Sequence, residues 1–548
     1  MSKDRHSAST TDQLANGWDG TQLLAALVAA SRWLSQHAEA VNALNVFPVP
    51  DGDTGTNMSL TLSGAVQDVT PDPSCGTVAE RVKYWATMRG RGNSGIILSQ
   101  VLRGFAQALA GHDRMDGQLL AEALTQASAT AYQAVMKPVE GTMLTVIRET
   151  SEAARAAAGP DASLVAVLEA AVHGAQASVQ RTPELLTMLR DAGVVDSGGQ
   201  GLALIFEGML RYARGESLEV EQAAEQSTAI AFTDIHGPDD FGYCTNFVLQ
   251  GKQLPFDTIR SELAAMGQSA VIVGDADLIK VHIHVLRPGD VLNYAVDFGA
   301  LTNIEITNMD LQREALHEQT THEPEVVQPV ADVGVVAVAS GAGFVALFRS
   351  MNVDAVVTGG QSMNPSTEDL LQAIERLPQQ EVIVLPNNSN IVMAARQAAS
   401  LSSKQVRVVP TKTLPQGVVA RLSFNYQAGL EENAAAMQEA VGQIRTAEIT
   451  TAVRDATVDG RQVSAGQTIG LLDGVLVSAA DQQTAVIEEL LEQMELDTRE
   501  IVTVYYGQSV ELSQAEALAE HIQAHYPDVE VEVQHGGQPL YDYILSAE

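Results

Sequence analysis

Two carboxylates separated by a single glycine, Asp51 and Asp53, stand in the segment Asn45 to Met58, NVFPVPDGDTGTNM. Carboxylate oxygens are hard ligands of the kind Mg²⁺ prefers. Pro48 and Pro50 fix their own φ and bias the residues before them towards extended backbone, so the loop carrying the pair is stiff. Gly52 and Gly55 let that loop turn tightly and approach a ligand. The next residues, TNMSLTLSGAVQDV, open a helix, whose free N–H groups and positive dipole end suit phosphate. Hard metal ligands beside a phosphate-seeking helix end point to a nucleotide. Calcium in an EF-hand is excluded by spacing, because the fifth loop position is Gly55 and the twelfth is Leu62, where a bidentate Glu is required.

Three further polar, glycine-bearing segments lead into apolar helices: MRGRGNSGIILSQ (88–100), KPVEGTMLTVIRE (137–149) and DAGVVDSGGQGLALI (191–205). One such segment alone reads as an ordinary cap or turn. Four in one helical region suggest more: in a closed antiparallel bundle alternate N-termini meet at one end, where their N–H groups could surround a triphosphate. A second constellation lies further on. In LIKVHIHV (278–285) the period of two puts His282 and His284 on one face, and Cys244 sits in a second apparent strand, YCTNFVL. One thiolate and two imidazoles begin a zinc site. The fourth ligand is open among His236, Asp239, Asp240 and water, and a surface histidine pair beside a buried thiol is the plain alternative.

The elements that must position these groups fall into three blocks. Residues 17–215 read as helices, beginning with GTQLLAALVAASRWLSQHAEAVNAL and continuing at about 54–68, 94–111, 117–136, 141–158, 162–180 and 199–214. An acidic stretch, 216–229, reads as a linker. Residues 230–316 alternate short strands and helices, and 317–331 reads as a second linker. From 332 to 548, strand–loop–helix repeats predict a parallel sheet with crossovers, with a small β insertion at 446–480. Ser366 with Asp369 makes a capping box. Gly341, Gly343 and Ala346 fit a dinucleotide fingerprint, but the acidic residue expected about 20 positions on is missing, so a tight strand–helix turn is the better reading. TGGQSMNPST and LPNNSN fall at strand C-terminal ends, where α/β sheets place ligands or partners.

Composition narrows the class. The 548 residues are 45% hydrophobic, which describes a globular, multidomain chain. A formal net charge of −36 argues against binding the backbone of nucleic acids and against docking on anionic membranes. Two cysteines exclude a disulfide framework and make a reducing cytoplasm the default. No apolar run reaches the roughly 18 residues of a membrane helix, and the polar N-terminus shows no secretory signal.

Taken together, NVFPVPDGDTGTNM, GRGNSGIILSQ, KPVEGTMLTVIRE and AGVVDSGGQGL resemble the nucleotide-binding domain of dihydroxyacetone kinases. GYCTNF, KVHIHV, TGGQSMNPSTEDL, LPNNSNI, PTKTLPQG and the terminal GGQPLYDYILSAE extend the resemblance, over residues 17–548, to the catalytic subunit of bacterial fatty acid kinases. The resemblance implies an all-α N-terminal helical barrel binding ATP and two Mg²⁺ ions (17–215). It also implies a small α/β middle domain with a structural Zn²⁺ and a role in homodimerisation (230–316), and an α/β C-terminal domain (332–548) that engages a separate fatty-acid-binding subunit. It assigns Asp51 and Asp53 to Mg²⁺ and to catalysis, with Asn45 as the candidate third ligand. Thr54, Gly55, Thr56, Asn57, Asn93, Ser94, Gly95, Thr142, Ser197, Gly198 and Gly199 are assigned to the nucleotide, and Cys244, His282 and His284 to zinc. Arg91, flanked by glycines, departs from the alanine-containing version of its motif, and VLRPGD replaces a more polar segment. The implied product is an acyl phosphate for phospholipid synthesis. The alternatives are a stand-alone glycerone-type hydroxyl kinase and a nucleotide-sensing scaffold without transfer.

Overall fold

The computed structural model describes residues 17–45, 52–135, 137–160, 162–216, 243–251, 254–274, 278–308, 331–360, 363–458 and 461–548. Two compact units form: residues 1–220 with 329–548, and residues 221–328. The helical and C-terminal blocks read from the sequence therefore share one unit.

In the helical part, α1 (Gly20–Gln36), α2 (Ala38–Asn42), α3 (Thr54–Gln67), α4 (Cys75–Arg89) and α5 (Gly92–Leu109) are followed by α6 (Gly117–Ala134), α7 (Met143–Ala157), α8 (Leu164–Leu185), α9 (Thr187–Ala192) and α10 (Ser197–Arg214). A two-residue pairing joins β1 (Trp18–Asp19) to β2 (Arg114–Met115). The packing neighbours run α1, α3, α4, α5, α6, α7, α8, α10 and back to α1, a closed circuit around one apolar core. Side-chain caps start most of these helices: Asp19, Ser74, Asp116, Thr142, Ser163 and Asp196 each accept from a first-turn N–H. The long helix expected over 20–44 is broken. The His37 N–H bonds back to Leu34 and Ser35, and α2 starts afresh.

The C-terminal part holds two sheets. The first is parallel, in the order β10 (Gln405–Val408), β9 (Glu381–Leu385), β7 (Val333–Ala339), β8 (Ala355–Thr358). Every residue of β7 is buried. Val333, Val335, Ala337 and Ala339 join one core cluster with Phe344 and Phe348 of α13 (Ala342–Ser350), whereas Val336 and Val338 join another with Leu370 and Ile374 of α14 (Thr367–Arg376). Burial on both faces is why that strand reads as an unbroken apolar run. The Ser366–Asp369 capping box forms as expected at the start of α14. In the first turn of α13, a Cβ on Gly343 would lie 1.7 Å from the His535 carbonyl, and Phe344 N–H donates to the Gly536 carbonyl at 3.1 Å. The chain's own backbone takes the place a dinucleotide would need.

After α15 (Val392–Leu401), α16 (Leu414–Leu422) and α17 (Leu430–Val441) comes the second sheet. Here the expectation of a β insertion over 446–480 is corrected. β11 (Arg445–Thr451), β14 (Thr468–Leu472) and β15 (Val475–Ala480) join β16 (Ile501–Tyr506), β17 (Glu530–His535) and β18 (Tyr543–Ala547) in one six-stranded sheet, ordered β15-β14-β11-β18-β16-β17. The reason is pairing at long range: β11 lies between β14 and the chain-terminal β18, a partnership that local turn signals do not reveal. Only β12 (Ala456–Val458) and β13 (Arg461–Val463) form a separate hairpin.

The second unit is an antiparallel sheet, β4 (Gln268–Gly274), β5 (Leu278–Val285), β3 (Tyr243–Gln250), β6 (Ala300–Asn308), with α11 (Phe256–Met266) and α12 (Pro288–Val296). Its core gathers Phe247, Leu249, Ile279, Val281 and Ile283. Within RPGD, Pro288 takes the first helical position of α12, where its missing N–H costs nothing.

Candidate active site

One cavity of about 720 Å³ collects most of the residues singled out for the nucleotide. Asn45, Asp53, Thr54 and Asn57 line it from the metal-type loop and the first turn of α3. Asn93 and Ser94 enter from α5, Thr142 from the cap of α7, and Ser197 and Gly198 from α10. The four polar-glycine segments, the first and last of them contributing Asn45 and Ser197 152 positions apart, thus reach one place. Asp51 falls outside the described residues. Asp53 is buried, 8% exposed, as is Asn57, 3% exposed.

Gly55, Thr56, Gly95 and Gly199 do not line the cavity, and the geometry says why. Asn42, at the end of α2, accepts from the N–H groups of Gly55 (2.7 Å) and Thr56 (3.2 Å) and donates to the Thr56 hydroxyl at 3.0 Å. Its side chain has therefore taken first-turn amides of α3 that the sequence reading offered to phosphate. At the opposite wall Asp196 accepts from Gly199 N–H at 2.7 Å and also from the Met143 N–H, tying the starts of α10 and α7 together. Burial pushes the Asp196 carboxyl up to about 6, against the lowering effect of those two N–H groups. Gly95 instead provides room for packing, since a Cβ there would lie 2.3 Å from the Thr61 hydroxyl. Neither Asn42 nor Asp196 was chosen from the sequence. The only signal available was cap-forming residue types just ahead of helix starts.

The oxygen donors fit a hard divalent cation. Besides the Asp53 carboxylate there is Asn45 Oδ1, which accepts from the Thr54 hydroxyl at 3.2 Å and from the Ser197 hydroxyl at 3.2 Å. Those contacts draw Asn45, α3 and α10 into one network.

The C-terminal part closes the cavity. Asn390 and Ser389 from LPNNSN, and Lys412 and Thr413 from PTKTLPQG, line it. Asn93 Nδ2 donates to Asn390 Oδ1 at 3.1 Å. Asn364 of TGGQSMNPST donates through Nδ2 to Asp53 Oδ2. Arg91, the departure noted above, donates to the Asn364 carbonyl at 2.9 Å, lies 3.6 Å from the Asp369 carboxylate and bridges backbone to backbone with Ser366. Thr367 N–H donates to the Gly90 carbonyl at 3.1 Å. Of the motifs read from sequence as a docking surface, LPNNSN is therefore also a wall of this cavity, and TGGQSMNPST reaches it through Asn364 on Asp53.

In the second unit the register sets Cys244 directly opposite His284 and Asn246 opposite His282. The side chains of Cys244, His282 and His284 lie outside the description, as do His236, Asp239 and Asp240. Among the described residues no cluster of three metal-ligating side chains forms.

Comparison with known proteins places three family descriptions along the chain: DAK2 domain over residues 48–211, the middle domain of the FakA-like fatty acid kinase family over 240–316, and the C-terminal domain of the same FakA-like family over 334–548. Protein YloV of Bacillus subtilis (strain 168) is 40% identical over 547 residues, covering 97% of this chain and 99% of that protein. The uncharacterized protein SAR1202 of Staphylococcus aureus (strain MRSA252) is 37% identical over 535 residues, covering 95% and 98%. Among solved structures, the dihydroxyacetone kinase from C. freundii in complex with AMP-PNP and Mg²⁺ is 22% identical, covers 36% of this chain and 35% of that chain, and gives a TM-score of 0.27. At that score the likeness carries no weight for function.

Proposed function

The chain belongs to the FakA-like fatty acid kinase family, and on that premise we propose that it transfers the γ-phosphate of ATP to the carboxylate of a fatty acid presented by a separate fatty-acid-binding protein. The observation that carries this reading is the convergence of the four polar-glycine segments on one cavity beside Asp53. A cavity of that size suits a nucleotide.

Phosphoryl transfer is mainly a matter of positioning and charge neutralisation. Asp51 and Asp53, with Asn45, would hold two Mg²⁺ ions. Bound Mg²⁺ supplies charge neutralisation across the phosphates. Asn57, Asn93, Ser94, Thr142 and Ser197 would orient the phosphates through amide and hydroxyl groups, and Lys137 and Lys412 put cationic chains on the cavity wall. A fatty acid carboxyl is already ionised at neutral pH, so its attack needs no protein base.

The remaining assignments belong to the same proposal: a helical kinase domain (17–215), a middle domain (230–316) with a structural Zn²⁺ on Cys244, His282 and His284 that supports homodimerisation, and a C-terminal domain (332–548) that docks the partner. The protein would work in the cytoplasm and feed phospholipid synthesis. Among the described residues no helix is long and apolar enough to cross a membrane. Incubation of the purified protein with ATP, Mg²⁺, fatty acid and a fatty-acid-binding protein should yield hydroxylamine-trappable acyl phosphate. Phosphorylation of dihydroxyacetone instead, or nucleotide binding with no transfer in the presence of the partner, would overturn the reading. Metal analysis of protein purified without chelator should find zinc, and should lose it with Cys244→Ser.

A further inference from the structure

Asp53 has a partner from the far half of the sequence. Asn364 sits in the loop between β8 and α14, two residues before the N-cap Ser366, and is 1% exposed. Its Nδ2 donates to Asp53 Oδ2. An ionised carboxylate only accepts, so this contact fixes which way the amide faces; turning it over would set oxygen against oxygen. The other end of the amide, Oδ1, is then buried with no hydrogen-bond donor among the described residues. A buried carbonyl oxygen without a partner is rare in native proteins and calls for a cation, a donor or a bound water.

Docking of the two parts does not explain that oxygen. The seam is held by groups that do not involve it: Arg91 on the Asn364 backbone carbonyl, Thr367 N–H on Gly90, and Gln100 on Gln397. The local backbone instead makes room for the amide. Gly92 has φ +56°, and a Cβ there would come within 2.5 Å of Asn57 Nδ2 and 3.5 Å of Asn364 Nδ2. Two buried amides, one from each half of the chain, therefore meet over that glycine beside the carboxylate.

We propose that Asn364 belongs to the metal–phosphate site: Nδ2 orients the Asp53 carboxylate, and Oδ1 serves as an oxygen ligand, direct or through one water, for the divalent cation that Asp53 holds. The nucleotide site is then composite, built from residues of both halves of the chain. This inference rests on the metal–nucleotide reading above.

The test uses the full-length protein, Mn²⁺ as the spectroscopically visible cation and AMP-PNP. Wild type should bind Mn²⁺ with AMP-PNP, read by electron paramagnetic resonance. Asn364→Ala should weaken Mn²⁺ by about tenfold or more, and Asn364→Asp, which keeps the ligand oxygen but loses the donor to Asp53, should weaken it less than Asn364→Ala. Gln397→Ala, which breaks a seam contact away from the cavity, should leave Mn²⁺ affinity unchanged. In turnover the Asn364→Ala defect should appear as a raised Mg²⁺ requirement that excess Mg²⁺ largely corrects. If wild type fails to bind Mn²⁺ with nucleotide, the underlying reading and this inference fall together. If wild type binds and Asn364→Ala binds equally well, or if Gln397→Ala weakens Mn²⁺ as much, the inference alone is overturned.

Discussion

Asp53 and Asp196 are both carboxylates on the cavity wall, yet their surroundings assign them opposite tasks. Asp53 accepts from the Asn364 amide and lines the cavity beside the Asn45 side-chain carbonyl oxygen, an arrangement suited to a cation. Asp53→Ala should therefore lower transfer on the order of a hundredfold or more, since metal-borne charge stabilisation is worth several kcal/mol, while circular dichroism and Tm remain near wild type. Activity equal to wild type would remove Asp53 from the metal site. Asp196 is half-buried and spends its oxygens on the N–H groups of Gly199 and Met143. Its folded pKa, about 6, lies above the unfolded value near 3.8. A raised carboxyl stabilises the fold below the unfolded pKa and loses that contribution as pH climbs through the folded pKa. Asp196→Asn keeps an acceptor oxygen without the charge, so its stability relative to wild type should grow between pH 4 and pH 7 in urea titrations. A difference independent of pH would show that the carboxyl does not titrate in that window.

Among the elements, α5 has the most to arrange. Its start carries Arg91 to the seam, Asn93 and Ser94 to the cavity, and Ile96 into an apolar cluster shared with Val336, Val338, Leu370 and Ile374 of the C-terminal part. Gly92 makes this possible, because a left-handed residue at the helix start is cheap only for glycine. Gly92→Ala should cost about 1–3 kcal/mol and should also weaken nucleotide binding, because the new methyl displaces Asn57. Calorimetry of AMP-PNP binding beside a urea melt separates the two effects. Helix starts were legible in the sequence from caps and glycines. That Asn42 and Asp196 would occupy amides expected for phosphate was not, because a side chain and a ligand compete for the same N–H groups and only the fold decides which arrives.

For the whole molecule, the first and third blocks share one unit, so damage on one side should be felt on the other. Ile96→Ala lies in a helix of the first block but opens a cavity against the C-terminal sheet. It should cost about 2–5 kcal/mol and should speed amide exchange in α14 and α15 as well as in α5. Exchange changes confined to α5 would argue against a shared core. The identity of the elements was largely readable: the strand at 278–285, the Ser366 cap and the parallel repeats follow from local periodicity and capping chemistry. The six-stranded sheet was not, because β11 pairs with β18 across about a hundred residues and register at that range leaves no local mark.

The segment around Asp51 and Asp53 was chemically legible from the outset. Hard ligands, stiff prolines and a following helix start are properties of residue type and spacing, which no fold is needed to read. The sequence by itself therefore determined which residue types and which helix starts were on offer for metal and phosphate chemistry. The tertiary structure alone decided which amides stay open, brought Asn390 and Lys412 to the same cavity, and set Asn364 against Asp53 on its wall. Those residues sit at strand ends some 300 positions away, and their meeting with Asp53 depends on packing between two cores that no sequence window contains.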